Sequence, residues 1–305
     1  MTAFRSSGDL AADRRFLWAD ASRAEGDWAA AADLFSQAVE LAPGWAAGWH
    51  ACGEALARVG RTAEASAAFR RCLMLEPQDG LGAGLALARL EGQAVTAMPA
   101  DFVAGLFDGY ARSFDRHLTQ ALAYRGPQII VAALATVRQP LAFGAVLDLG
   151  CGTGLLAQAL AGTAEVIDGV DLSPGMLEVA HDKGLYRDLA AGDVTAHLEG
   201  LPADRRYDLI AAADVLVYIG DLGPLFAAST RGLAPGGLFA ATVQARQEEG
   251  YGLGADMRFH HSARYLRDTA AAAGLEVRHL AEAVTRTDAG RDVPGLVVVL
   301  ARATG

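Results

Sequence analysis

Three glycines in five residues, Gly150-Cys151-Gly152-Thr153-Gly154, follow the apolar run Ala145-Val146-Leu147-Asp148-Leu149 and precede a helical stretch from Leu155 to Gly162. A strand that turns into a helix through glycines lets a ligand approach bare backbone closely. A second apolar run, Glu165 to Val170, ends in Asp171, 171 − 154 = 17 residues past the last glycine. A carboxylate at that distance can accept hydrogen bonds from both hydroxyls of a ribose. Asp171 and Ser173 also suit the start of a helix whose first residue is Pro174, so capping is the competing role. His260 and His261 are imidazoles that could take up a proton near neutral pH, or could cap a helix ahead of Ser262. No carboxylate and histidine spacing typical of a metal site is visible, and Cys52, Cys72 and Cys151 form no CxxC pair. We therefore expect no metal and reduced thiols, with Cys151 packing in its loop and not acting as a nucleophile. Lys183 is the single lysine, which argues against Schiff-base chemistry.

These residues need a sheet to hold them. From Gly144 onward short apolar runs alternate with helical stretches, the pattern of a parallel α/β sheet. Tyr207-Asp208-Leu209-Ile210 reads as a further strand and Leu233-Ala234-Pro235-Gly236-Gly237 as a turn. Leu275 to Ala281 and Val293 to Arg302 read as the last two strands, with Pro294 at the start of the second. The segment between Gln244 and Phe259 looks irregular, rich in glycine and charge.

The first ninety residues read differently. Pro43 and Pro77 are 77 − 43 = 34 residues apart, and the same shift superposes Gly26 on Gly60, Ala31 on Ala65, Phe35 on Phe69, Ala38 on Cys72 and Leu41 on Leu75. Thirty-four is the period of the tetratricopeptide helix-turn-helix repeat. The unit from Ala46 to Pro77 fits well, through Trp49, Gly53, Leu56, Gly60, Ala65, Phe69 and Pro77. The unit from Ala12 to Pro43 is weaker, and Leu81 to Leu90 reads as a capping helix. Two and a half units bury little surface by themselves, so this segment is expected to dock on the rest of the chain. It offers a face to a protein partner, or else it shapes an oligomer or covers a site.

Composition sets outer bounds. The chain has 305 residues, 52% of them hydrophobic and 20% charged, with a formal net charge of −10. That excludes global disorder and disfavours nucleic acid as a partner. No apolar run approaches the ~18 residues that span a bilayer. Met1 to Asp20 is charged and lacks the apolar core of a secretory signal, so a cytoplasmic location is expected.

Taken together, Leu147-Asp148-Leu149-Gly150-Cys151-Gly152-Thr153-Gly154 resembles motif I of class I S-adenosylmethionine (SAM)-dependent methyltransferases. Asp171-Leu172-Ser173 is similar to that family's ribose-binding loop, with Met176 placed to pack on adenine. Gly192-Asp193-Val194 resembles the loop whose aspartate meets the adenine amino group. Tyr207 to Tyr218 resembles strand four and its active-site loop, here Ala213-Asp214-Val215-Leu216-Val217-Tyr218. Phe107-Asp108-Gly109-Tyr110-Ala111-Arg112-Ser113-Phe114-Asp115-Arg116-His117-Leu118 and Leu122-Ala123-Tyr124-Arg125-Gly126-Pro127 resemble stretches of bacterial methyltransferases that carry tetratricopeptide repeats. Phe107, Tyr110 and Phe114 fall on one face of a helix, which either packs on the sheet domain or lids the cofactor.

The resemblance implies a repeat domain over residues 1–95, lid helices over 96–126 and a Rossmann-like methyltransferase domain over 127–305 with an antiparallel final strand. It implies SAM as cofactor and S-adenosylhomocysteine (SAH) as product. The cofactor would be held by Asp148, Gly150, Cys151, Gly152, Asp171, Leu172, Met176, Asp193, Val194 and Asp214, with Tyr110 touching it. Arg125 either reaches the cofactor carboxylate or is simply exposed. In this fold the segment after strand five faces the substrate, which makes His260 or His261 the candidate base. The Asn/Asp-Pro-Pro-Tyr motif of enzymes that methylate adenine or glutamine is missing after strand four, and the mostly apolar loop there suits a small organic acceptor. A recruiting module whose repeats bind a protein is the alternative.

Overall fold

A computed structural model describes residues 6–116, 118, 123–254, 256–288 and 290–302, so His117 and Leu122 of the quoted stretches lie outside the described residues. The chain divides into two compact units, residues 1–102 and 103–305. The expected lid segment, 96–126, is thus shared between them.

The first unit is helical. It contains α1 (Leu10–Ala24), α2 (Trp28–Leu41), α3 (Ala46–Arg58), α4 (Thr62–Leu75) and α5 (Ala83–Leu90), after which α6 (Ala100–Asp108) begins. Asp9 caps α1 by accepting from the amides of Ala11 and Ala12, and Asp27 caps α2 through Ala30. Such caps satisfy donors that the first turn leaves open. The two tight turns after α1 and α3 use Gly26 and Gly60, both left-handed. α2 and α4 start and end 34 residues apart, in step with the sequence period. Gly53 lies under Phe69: a Cβ there would come within 2.7 Å of the ring. The helices are therefore held close by a small residue facing an aromatic one.

The second unit continues with α7 (Ala111–Arg116), α8 (Gly126–Val137), β1 (Phe143–Leu149), α9 (Leu155–Ala159), β2 (Ala164–Asp171), α10 (Pro174–Asp182), β3 (Asp188–Ala191), α11 (Val194–Glu199), β4 (Tyr207–Ala212), α12 (Gly223–Gly232) and β5 (Leu233–Ala245). It ends with β6 (Tyr251–Leu253), β7 (Phe259–His261), α13 (Ala263–Ala272), β8 (Leu275–Asp288) and β9 (Arg291–Arg302). The strands β3-β2-β1-β4-β5 run parallel in that order, and β9 joins β5 antiparallel with β8 beyond it. Alternate residues of each central strand enter different cores. Leu147, Ile210 and Phe239 pack with Phe226 of α12 and Leu266 of α13 on one face. Val146, Leu209 and Leu238 pack with Leu134 of α8 and Leu156 of α9 on the other. Burial on both faces is what a parallel sheet requires, and it explains the uninterrupted apolar runs.

Four elements differ from expectation. Leu233 to Gly237, expected as a turn, is carried within β5, where the pairing with β4 shifts register between Tyr207 and Leu209. The face carrying Phe107, Tyr110 and Phe114 is not one helix: α6 stops at Asp108, and the chain turns through Gly109 and Tyr110 before α7. The last strand but one extends seven residues past Ala281, to Asp288. The segment after β5 forms a hairpin, β6 against β7, whose second strand lies parallel to the end of β5.

Candidate functional site

β1 and β2 end side by side, which sets the glycine loop next to Asp171. Gly150 is left-handed and close-packed, because a Cβ there would meet Val215 at 2.5 Å. Gly152 is also left-handed, yet its Cβ position is open, with nothing nearer than Phe114 at 4.0 Å. The first glycine permits the turn and the second leaves room above it for a ligand. The Gly152 amide donates to Oδ2 of Asp171 at 2.8 Å, and the Ser173 amide donates to Oδ1 at 2.8 Å. Burial raises the Asp171 pKa, opposed by these amides. Each oxygen keeps a lone pair for a further donor. Ser173 separately caps α10 through Met176, so the capping role belongs to Ser173 while Asp171 serves the loop. Met176 is buried beneath this turn, Leu172 is part-exposed, and Val194 is buried at the start of α11.

Asp193 caps α11 with Oδ1 alone, accepting from Thr195 at 3.0 Å and Ala196 at 2.9 Å. Its other oxygen remains for a ligand. Asp193→Ser should keep the cap and remove that oxygen. We expect an unchanged melting temperature and SAH binding about tenfold weaker, for one lost hydrogen bond of ~1.4 kcal/mol. Equal affinity by calorimetry would leave Asp193 a cap and nothing more.

Asp148 is buried beneath the loop and accepts from the Tyr186 hydroxyl at 2.7 Å. Desolvation raises its pKa to about 7, with the Tyr186 bond lowering it and the Asp171 charge adding to the rise. Between pH ~4 and ~7 the folded chain therefore keeps a proton that the unfolded chain has released, so this group costs stability as pH rises. His261 acts in the opposite direction: burial lowers its pKa to about 4, so the folded chain loses stability as pH falls below 6.5. Asp148→Asn keeps an acceptor for Tyr186 and cannot ionise. Its thermal stability should match wild type near pH 4 and exceed it increasingly up to pH 8, by a few kcal/mol. A difference that does not change with pH would show that Asp148 does not titrate there.

Cys151 is buried, its thiol pushed up by desolvation, and Gly169 makes room for its Sγ. It packs and is not poised to react.

The break between α6 and α7 brings two residues to the loop that the sequence reading passed over. Asp108 accepts from the Ser173 hydroxyl and from the Gly175 amide. Asp115 accepts from the Thr153 hydroxyl and pairs with Lys183 at 2.6 Å. The signal was present: Phe-Asp occurs at 107–108 and again at 114–115, seven residues apart. The rings of Phe107, Tyr110 and Phe114 pack edge to face, and Phe107 meets Tyr218 at 5.7 Å.

Beyond β4, Asp214 is left-handed, a strained state for a side-chain-bearing residue, and its amide donates to the Thr242 hydroxyl. The resemblance assigns Asp214 to the cofactor. Its carboxylate instead accepts from the buried Arg286 at 2.8 Å and lies 3.8 Å from Arg258. Arg286 lies in the part of β8 beyond Ala281, and only the continuing run Ala283-Val284-Thr285 hinted that the strand goes on. Arg125 is exposed and tied by its amide to the Thr285 carbonyl at 2.7 Å.

The two histidines separate. His261 is fully buried, its Nε2 3.0 Å from the carbonyls of both Ile219 and Gly220, while Nδ1 has no partner among the described residues. Nε2 must carry the proton, and the ring is fully buried. His260 is part-exposed, its Nε2 3.1 Å from Asp256 Oδ1 and its Nδ1 3.2 Å from the Ala245 carbonyl.

Residues 146–237 match the family described as "Methyltransferase domain". Over these residues the chain is similar to a methyltransferase domain. The chain is 34% identical over 128 residues to a ubiquinone biosynthesis O-methyltransferase of Xylella fastidiosa strain 9a5c, a match that covers 39% of this chain and 52% of that protein. Over 164 residues it is 34% identical to the biotin biosynthesis bifunctional protein BioCD of Bordetella avium strain 197N, covering 49% of this chain and 32% of that one. The chain thus spans about half or less of the curated relatives it matches. Among solved structures, the [4+2]-cyclase SpnF shares the domain's fold, with TM-score 0.54, 19% identity, and coverage of 70% of this chain and 98% of that one. No described helix is long and apolar enough to cross a membrane, and no metal-holding cluster occurs among the described residues.

Proposed function

We propose that this chain transfers a methyl group from SAM to a small organic acceptor, on oxygen or nitrogen. The observation that carries this is the Asp171 carboxylate fixed by the Gly152 amide at the mouth of an open glycine loop. SAM supplies an activated methyl on a sulfonium, so the protein's work is alignment and exclusion of water. Asp171 holds the ribose hydroxyls, the free oxygen of Asp193 takes the adenine amino group, and Met176 backs the ring. The turn bearing Tyr110 closes over the loop, latched by Asp108 and Asp115. The relatives' names favour an oxygen acceptor.

His260, with Asp256 behind it, is the residue we assign to accept the acceptor's proton; its Nε2 faces Asp256 and its Nδ1 the Ala245 carbonyl, so it takes that proton only once Nδ1 turns away from Ala245. Calorimetry with SAM and SAH, followed by a methyl-acceptor screen against a metabolite extract, tests the whole reading. Binding of neither nucleoside would end it.

We further read residues 10–90 as tetratricopeptide-like repeats. The alternative of a recruiting module has one feature in its favour: α1 leaves Leu10, Leu17 and Trp18 exposed. Light scattering of Trp18→Glu against wild type asks whether that surface supports self-association.

A further inference from the structure

The geometry points to an acceptor that carries an anionic group, a carboxylate or a phosphate, held by Arg258. This rests on the methyltransferase reading and names the substrate class for the same site.

Two guanidinium groups from separate elements converge on one carboxylate. Arg286, on β8 and 5% exposed, takes the hydrogen bond to Asp214 at 2.8 Å. Arg258, just before β7, stands 3.8 Å from the same oxygen, beyond hydrogen-bond reach, with its side chain 29% exposed. Its one other side-chain contact among the described residues is the Tyr218 ring, 6.0 Å away. Asp214 is hydrogen-bonded to Arg286, and the other carboxylate nearby, Asp256, is engaged by Gln244, His260 and the Arg258 amide, so among the described residues no carboxylate is hydrogen-bonded to the Arg258 guanidinium. The planar fork of Arg258 has N–H donors without an acceptor, the group best suited to grip two anionic oxygens together.

The placement fits an acceptor and not the cofactor's ribose or adenine. Asp214 follows β4, and its neighbour Val215 packs against Gly150 of the cofactor loop. Tyr218 meets Phe107, which meets Phe114, which meets Tyr110. A cation beside the Tyr218 ring, with Phe107 packed on that ring, suits a molecule with an apolar or aromatic body and an anionic end. In a chain of formal charge −10 a local positive site also draws anions selectively to this mouth.

The test uses SAH-saturated full-length protein and three probes of equal body: 4-hydroxybenzoate, 4-hydroxyphenyl phosphate and 4-hydroxybenzyl alcohol, titrated by calorimetry. At least one anion should bind ten times or more tighter than the alcohol, and which anion does so separates carboxylate from phosphate. In Arg258→Gln that preference should vanish while SAH affinity and melting temperature stay at wild-type values, and Arg258→Lys should restore part of it. Equal binding of all three probes, or a preference that survives in Arg258→Gln, overturns the proposal. Failure of wild type to bind SAH is a separate result: it removes the methyltransferase reading and this inference with it.

Discussion

Asp171→Ala should weaken SAH binding by about 10²–10⁴-fold. Two charge-assisted hydrogen bonds to ribose, at ~1.5–3 kcal/mol each, account for that range. The same carboxylate also accepts the amides of Gly152 and Ser173, so its loss frees the glycine loop from β2 as well. Asp171→Asn separates the two effects. It retains one acceptor oxygen, so it should keep part of the loop's order and bind SAH between wild type and alanine. Calorimetry of the wild type and the two variants is the measurement. Wild-type affinity in the alanine variant would remove Asp171 from the ribose and leave it a loop anchor.

His260→Ala should lower kcat by about 10²–10⁴-fold once an acceptor is known, with SAH affinity unchanged, as expected for the loss of a general base. His261→Ala should behave differently. It removes a buried ring held between two carbonyls, so it should lower the melting temperature and leave the pH dependence of turnover in place. Asp256→Asn provides an internal check. Asp256 also accepts from the Gln244 amide, which holds it against His260. Weakening that partner should displace the pH profile of kcat while KM for SAM is unchanged. Turnover of His260→Ala at the wild-type rate across pH 6–9 would mean that alignment alone carries the reaction.

The sequence by itself determined the frame of the cofactor side. The apolar runs, the three glycines and Asp171 at its spacing are local signals, because a strand, its turn and the residue at the next strand's end are each set by a few neighbouring residues. The 34-residue period in the first helices was legible for the same reason, whereas the antiparallel final strand was implied only by the family resemblance. The cluster of Asp214, Arg258 and Arg286 was not legible, since its members come from segments far apart in the chain. Arg258 and Arg286 meet Asp214 only because the hairpin after β5 and the far end of β8 reach the same end of the sheet. No spacing records that meeting, and the end of a strand is poorly marked when β-branched residues continue past it. The break at Gly109 and Tyr110 was hidden because the aromatic spacing imitates a helix, whereas packing of Asp108 on the Ser173 turn and Asp115 on Thr153 and Lys183 favours two short helices. The histidines show the difference most plainly: adjacent residues on a strand point to opposite faces, so the sheet buried His261 in the core and left His260 beside Asp256.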